Sequence, residues 1–276
     1  MSSRKKKKTS FSGSHQRSWL WGHHAVCETL QSGIWPVLEI FVSAEAFAQS
    51  SQLLQAKQRE GIPLEIVDYS RLEQLTHSTE HQGLAARLGE FPYCSMVDFE
   101  KTLKRMADDF ATQSTDSGET ANRPSVVVIC DRIQDAFNFG AILRCCDGAN
   151  VAGVIVGDRN QAEVTPHVAR SSSGAVNHIP IIRQHDLVRS VLRLKELGIQ
   201  LVAADANAST SLWDSQLRGP IALLVGSEAH GISPELLAHA DQHAIIPMLG
   251  HVTSLNVAVA TGILLYEIRR QQSPKS

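Results

Sequence analysis

The apolar positions of this chain fall into two textures. Between Leu20 and Leu88 they come in short bursts, and from Ser125 onward they gather into continuous β-branched runs. In the first stretch HHAVCETLQSG reads as a helix stopped at Gly33, and VLEIFVS (37–43) as a strand. Residues 45–59 carry helical spacing that ends before Gly61, and PLEIVD (63–68) reads as a strand. SRLEQLT (70–76) is a short helix with Ser70 as its cap, and QGLAARL (82–88) a strand. That order predicts a small α/β domain. In the second stretch VVVIC (126–130), VAGVIVG (151–157), IPIIR (179–183), IQLVAAD (199–205), IALLVG (221–226) and HAIIPM (243–248) show almost no polar alternation. Strands buried on both faces look like this. Helical stretches alternate with them at 140–147, 162–172, 186–197, 234–240 and 254–270. The alternation predicts a parallel sheet covered by helices, with ligands received beyond the carboxyl ends of its strands.

The predicted organisation is a basic tail over 1–17, a small domain over 18–90, a linker over 91–124 and a second domain over 125–276. Within the linker DFEKTLKRMADDF (98–110) has the spacing of one helix, followed by the polar run ATQSTDSGETANRP. A length of 276 residues is ample for two domains, and 43% hydrophobic with 20% charged residues is enough to bury two cores. No run of 18 apolar residues occurs, so no membrane helix is expected, and the basic start MSSRKKKKTS lacks the apolar stretch of a secretory signal. The five cysteines, Cys27, Cys94, Cys130, Cys145 and Cys146, are odd in number and form no CxxC pair. This argues against a disulfide framework or zinc ribbon and for a reducing, cytoplasmic setting. No His/Cys/Asp cluster has metal-ligand spacing, so no metal is expected.

The net charge of −2 is unevenly spread. Arg4, Lys5 to Lys8 and Arg17 fall within residues 1–18 without an acid, which leaves 20 basic against 28 acidic residues in the body. A basic arm on an acidic body suits a tail that touches phosphates, or one that only solubilises. An acidic body that binds nucleic acid has to do so through a local patch.

Three loops at strand ends carry candidate chemistry. The first is DRIQDAFNFGAILRCCDGA (131–149). Asn138 is placed to cap a helix that starts near Gly140. Arg144 then falls between Leu143 and two small cysteines. A guanidinium among apolar neighbours is costly unless it is paired or faces a polar site, and Arg suits phosphate. The second loop is LLVGSEAHGIS (223–233). Gly226 at a strand end lets a ligand approach the backbone. Glu228 lies too early to cap the helix that Ser233 and Pro234 begin, and without a GK[ST] the loop is no P-loop. The third is IIPMLGHVTSLNVAVATG (245–262). Here Ser254 is the expected cap, which puts Asn256 at the second helical position, over a helix mouth with free N–H groups. Asn is a mediocre helix former, so a ligand or side-chain partner is expected, in one site with Arg144 and Glu228.

Taken together, N-F-G-A-I-L-R, L-V-G-S-E-x-x-G and I-P-M-x-G-x-V-x-S-L-N-V-A-V-A closely resemble the three motifs of the SpoU (TrmH) family of the SPOUT superfamily. W-G-H-H-A-V-x-E-x-L near 21–30 and H-Q-G-L-A-A at 81–86 resemble that family's amino-terminal RNA-binding domain. The resemblance implies an α/β protein in which a small ribosomal-protein-like α/β domain precedes a parallel-sheet domain with a trefoil knot. It implies an S-adenosylmethionine-dependent RNA ribose 2′-O-methyltransferase that releases S-adenosylhomocysteine, closest to the branch that methylates a guanosine of large-subunit ribosomal RNA. The cofactor would meet Gly226, Ile246, Ser254 and Leu255, with Ala203 and Ala204 lining the same pocket. Arg144 would serve the ribose hydroxyl, with Asn138, Glu228 and Asn256 orienting it or the substrate. The expected partners are RNA, ribosomal ahead of transfer RNA, and a second copy of the chain, with no membrane.

Two departures are visible. Cys145 stands where the family usually has Ser or Thr after the arginine, and Ala258 where many relatives have Ser. The rival readings are a transfer-RNA enzyme and a non-catalytic RNA-binding or ribosome-assembly protein. The presence of Arg144, Asn138, Glu228 and Asn256 together argues against the latter. His23 and His24 read as capping or surface residues, and His230 in the second loop and His251 in the third fall where the cofactor would be near, without a role assigned to either. Trp19 and Trp21 read as apolar anchors rather than base-stacking platforms.

Overall fold

The two apolar textures become two sheets. A computed structural model describes residues 18–112 and 125–273. The basic tail expected over 1–17 and the polar run 113–124 lie outside the described residues. Among the described residues two compact units separate: one runs to Phe91 and takes in Val164–Arg170, and the other holds Pro92–Glu163 and continues from Ser171.

The first unit contains β1 (Trp19–Trp21), α1 (His23–Ser32), β2 (Val37–Val42), α2 (Ala44–Gln49), α3 (Ser51–Arg59), β3 (Leu64–Ile66), α4 (Tyr69–Thr76) and β4 (Leu84–Leu88). Its sheet runs β1-β4-β2-β3, with β2 and β3 parallel and the other pairs antiparallel. Gly33 ends α1 as expected, in the left-handed conformation at φ 64°. The helical run 45–59 breaks at Ser50 into two helices, the first capped by the Ser43 side chain. The expected cap Ser70 is corrected. Asp68 caps α4 by accepting from the Arg71 amide at 2.8 Å, and that bond leads in holding its carboxyl below the usual range. Ser70 lies inside the helix and donates its hydroxyl to Asp68. Trp19 and Trp21 form a strand that the pattern did not predict, too short to show a period. Each is 5% exposed, in a core with Phe41, Leu72 and Ala85, which fits apolar anchors.

The second unit opens with α5 (Met96–Thr112), inside the stretch expected as a linker. Its Phe99 and Leu103 are buried in the core with Ile155, Ile182 and Leu194. Gly153 makes room for it, because a Cβ there would sit 2.5 Å from the Phe99 ring. Then follow β5 (Val126–Asp131), α6 (Ala136–Gly148), β6 (Gly153–Gly157) and α7 (Pro166–Ser171), which groups through Arg170 with the first unit. The chain continues with β7 (Ile181–Gln184), α8 (Leu187–Glu196), β8 (Gln200–Ala204), β9 (Ile221–Gly226), α9 (Pro234–Leu237), β10 (Gln242–Ala244) and α10 (Val257–Gln272).

These strands form one parallel sheet in the order β10-β8-β9-β5-β6-β7. β5 is buried at every residue, as its continuous apolar run requires. The chain fills one side of β5 with β6 and β7, then crosses to the other with β8, β9 and β10. Ligands of open parallel sheets bind beside such a change of direction, past the carboxyl ends of the strands. The expected strand 243–248 is only Gln242–Ala244, and Ile245 pairs with Ser211 instead.

Candidate functional site

Two helix starts differ from the sequence reading, and the difference builds the site. α6 begins at Ala136 and is capped by Asp135, whose Oδ1 accepts from the Asn138 amide at 2.8 Å. Asn138 is therefore not the cap. Its side chain is left over, and Nδ2 donates to Glu228 Oε1 at 2.6 Å. α10 begins at Val257, and its cap is Asn256 rather than Ser254, which is exposed. Asn256 Oδ1 accepts from the amides of Ala258 at 2.9 Å and Val259 at 3.4 Å. Its Nδ2 donates to Asn138 Oδ1 at 2.9 Å and to Glu228 Oε1 at 3.1 Å. Both ends of one amide are thus engaged, the oxygen by the helix and the nitrogen by the site. Serine has no second donor, and aspartate would set a carboxylate against Glu228.

The loop that delivers Glu228 folds back over the end of its own strand. A Cβ on Gly226 would lie 2.2 Å from the Gly231 carbonyl carbon, so only glycine fits. Ser227 and Gly231 pair as a one-residue bridge, with the Gly231 amide donating to Ser227 O at 2.8 Å. A clasp from β5 holds the far end. The buried Asp131 carboxylate accepts from the Ser233 amide at 2.6 Å and from the Arg132 guanidinium at 3.2 Å. Arg132, held at φ 59°, also donates to Gly231 O at 3.5 Å. Sequence reasoning missed this pair. Its signal was an acid closing an apolar strand, a position that must find a partner once buried. Ser233 stands at the start of α9 with Pro234 first in the helix, as expected, although its hydroxyl does not cap.

Between this loop, the ends of β8 and β10 and the approach to α10 lies a cavity of about 360 Å³. Gly226, Ile246, Ser254, Leu255 and Ala204, all predicted to meet a cofactor, line it. Ala203 does not: its side chain is wholly buried in the core with Leu201 and Leu224, because alternate residues of β8 face opposite ways. Glu228 and His230 also line the cavity, and so does Asp205, which the sequence did not single out. Asp205 is held by His243 Nδ1 at 3.0 Å and by the Asn207 amide at 2.9 Å.

Arg144 is exposed on α6, so the desolvation argument made for it does not apply. Among the described residues it makes no hydrogen bond or ion pair, and it is not bonded to the Asn138–Glu228–Asn256 cluster. Cys145, beside it, is half-buried with Sγ 3.8 Å from Ala258 O, and burial raises its thiol despite the neighbouring guanidinium. Burial pushes Cys130 up to about 12 and raises Cys146 well above the ordinary thiol value. All three stay thiols at neutral pH, which removes them as nucleophiles. Among the described residues no group of three or more His, Cys, Asp or Glu is placed to hold a metal, and no helix is long and apolar enough to cross a membrane.

The sequence model of the SpoU rRNA Methylase family matches residues 125–266. The chain belongs to that family. It is an RNA methyltransferase, and residues 19–94 fit the model described as RNA 2′-O ribose methyltransferase substrate binding. A protein of Bacillus subtilis (strain 168) described as a TrmH family tRNA/rRNA methyltransferase is 30% identical over 95% of this chain and 98% of its own length. One of Staphylococcus haemolyticus with the same description is 32% identical over 91% and 94%. Among solved structures, an AdoMet-bound rRNA methyltransferase from Sinorhizobium meliloti superposes with a TM-score of 0.72 at 25% identity, covering 93% of this chain and 88% of that one. An RNA 2′-O ribose methyltransferase superposes at 0.68 and 25% identity, covering 94% and 90%.

Proposed function

We propose that the chain transfers the methyl group of S-adenosylmethionine to a ribose 2′-hydroxyl, with a guanosine of 23S ribosomal RNA as the target. The observation that carries this reading is the amide–carboxylate cluster of Asn138, Glu228 and Asn256, whose carboxylate lines an apolar cavity at the ends of parallel strands. The cavity suits the cofactor. Its volume falls in the range of about 300–1,000 Å³ usual for small-molecule sites. Val225, Ile246 and Leu255 offer apolar walls to a purine, loop backbone offers hydrogen bonds, and Asp205 and Glu228 favour a cation. When bound, the cofactor supplies an electrophilic methyl group on a sulfonium.

The residues of the chain do the rest by placement. Arg144 is exposed and uncommitted, so its guanidinium is available to hold the target phosphate and stabilise negative charge developing on the ribose oxygen. It is not assigned as the base, because a guanidinium offers five N–H donors and no acceptor. The proton leaves to phosphate or water. Asn138, Glu228 and Asn256 fix the two helix starts against the loop, and orientation of this kind supplies a large share of the rate in a displacement that needs in-line approach. In the same reading the last segment threads a trefoil knot, the setting is cytoplasmic, and two copies pair. The apolar side chains of Phe137 on α6 and Val259 and Tyr266 on α10, each more than half exposed, support the pairing.

The test has two arms. Calorimetry with S-adenosylmethionine is expected to show one site per chain, and labelled methyl is expected to enter ribosomal RNA from a strain lacking the gene. Label in transfer RNA would overturn the substrate. Absence of both binding and label would overturn the reading.

A further inference from the structure

A second groove, of about 570 Å³, lies in the first unit between α1 and the junction of α2 and α3. His23, His24, Glu28, Gln31, Gln49 and Gln52 line it. Its floor is organised. Ser50 stands at the start of α3 but does not cap it; its hydroxyl is 2.8 Å from His23 Nε2 instead, and Cys27 Sγ is 3.6 Å from the same hydroxyl. The His23 ring is therefore fixed. The side chains of Gln31, Gln49 and Gln52 are exposed and, among the described residues, make no hydrogen bond.

We infer that this groove reads the edge of one unpaired RNA base; the inference rests on RNA being the substrate and deepens that reading. Charge decides what the groove takes. Among the described residues no lysine or arginine lines it, so these residues offer a phosphate no countercharge. A base edge offers what the lining matches. Glutamine amides pair a donor and an acceptor, as adenine requires, and imidazole faces stack on bases. The groove also falls within residues 19–94, the part matched as substrate binding.

The test uses the full chain, unmodified 23S ribosomal RNA transcript, filter binding at fixed salt and methyl-transfer kinetics. The Gln49→Ala, Gln52→Ala double variant is expected to raise both the RNA Kd and KM about tenfold, the loss of one good edge contact. The Kd for S-adenosylmethionine, kcat and Tm should stay within twofold or a degree of the parent. The Gln49→Lys variant separates base from phosphate: weaker RNA binding supports the base reading, and tighter binding overturns it. Unchanged RNA Kd in the double variant overturns it too. A parent chain that binds this RNA but transfers no methyl would sink the proposed activity, while the Kd ratio would still decide the groove.

Discussion

Asn256 has two separable jobs, and two substitutions pull them apart. Its oxygen caps α10 through Ala258 and Val259, while its nitrogen ties Asn138 to Glu228. Asn256→Ser keeps a good cap and removes both side-chain donors. Asn256→Ala removes the cap as well. The lost donor bonds are exposed, so water replaces them and the low end of about 0.5–1.5 kcal/mol each applies, giving roughly 1–2 kcal/mol for serine. Loss of the cap adds about 1 kcal/mol for alanine. At about 2–4 °C per kcal/mol for domains of this size, serine should melt about 2–8 °C below the parent and alanine another 2–4 °C lower. Thermal melts followed by circular dichroism give these differences, and hydrogen exchange at the Ala258 and Val259 amides locates them. Protection at those amides should survive in serine and fall in alanine. Equal melting and equal protection in the two variants would refute the cap. Full methyl transfer by Asn256→Ser would refute a functional role for the amide nitrogen.

Three further outcomes follow from the same geometry. Gly226→Ala drives a methyl to 2.2 Å from the Gly231 backbone, so it should displace the loop and abolish calorimetric binding of S-adenosylmethionine; a variant that binds normally would contradict the close approach. Asp131→Ala leaves the Ser233 amide without its acceptor and Arg132 without its pair, which should cost about 2–3 kcal/mol in urea denaturation and weaken the cofactor at least tenfold. Arg144→Ala touches an exposed, unbonded side chain, so methyl transfer should fall by about 100-fold or more while Tm and cofactor Kd hold; a drop in Tm would show a structural role.

The fold was legible wherever burial left a long pattern. The six apolar runs from 126 to 248 correspond to β5 through β10, and Gly33 marked the end of α1 by its φ alone. Caps were less legible, because Ser, Asp and Asn compete for the same amides within one turn. Ser70, Asn138 and Ser254 each stood near an acid or amide that won: Asp68, Asp135 and Asn256. Those losses are informative, since a side chain not used as a cap is free for other work, as Asn138 is. Partners distant in sequence left no local trace. Asp131 meets Ser233 across 102 positions and Asp205 meets His243 across 38. Arg144 was singled out for burial beside Leu143 and the cysteines, but the helix turns its side chain to solvent. Burial therefore gives no reason to single it out, and its role rests on the motif resemblance alone.

The most direct test of the central claim is where the methyl group ends up. Unmodified ribosomal RNA, treated with the purified chain and S-adenosylmethionine, would be mapped by its resistance to alkaline cleavage at single-nucleotide resolution. The account predicts one protected linkage, 3′ to one guanosine ribose, absent with Arg144→Ala. Methyl on a base, with every linkage still cleaved, would contradict it.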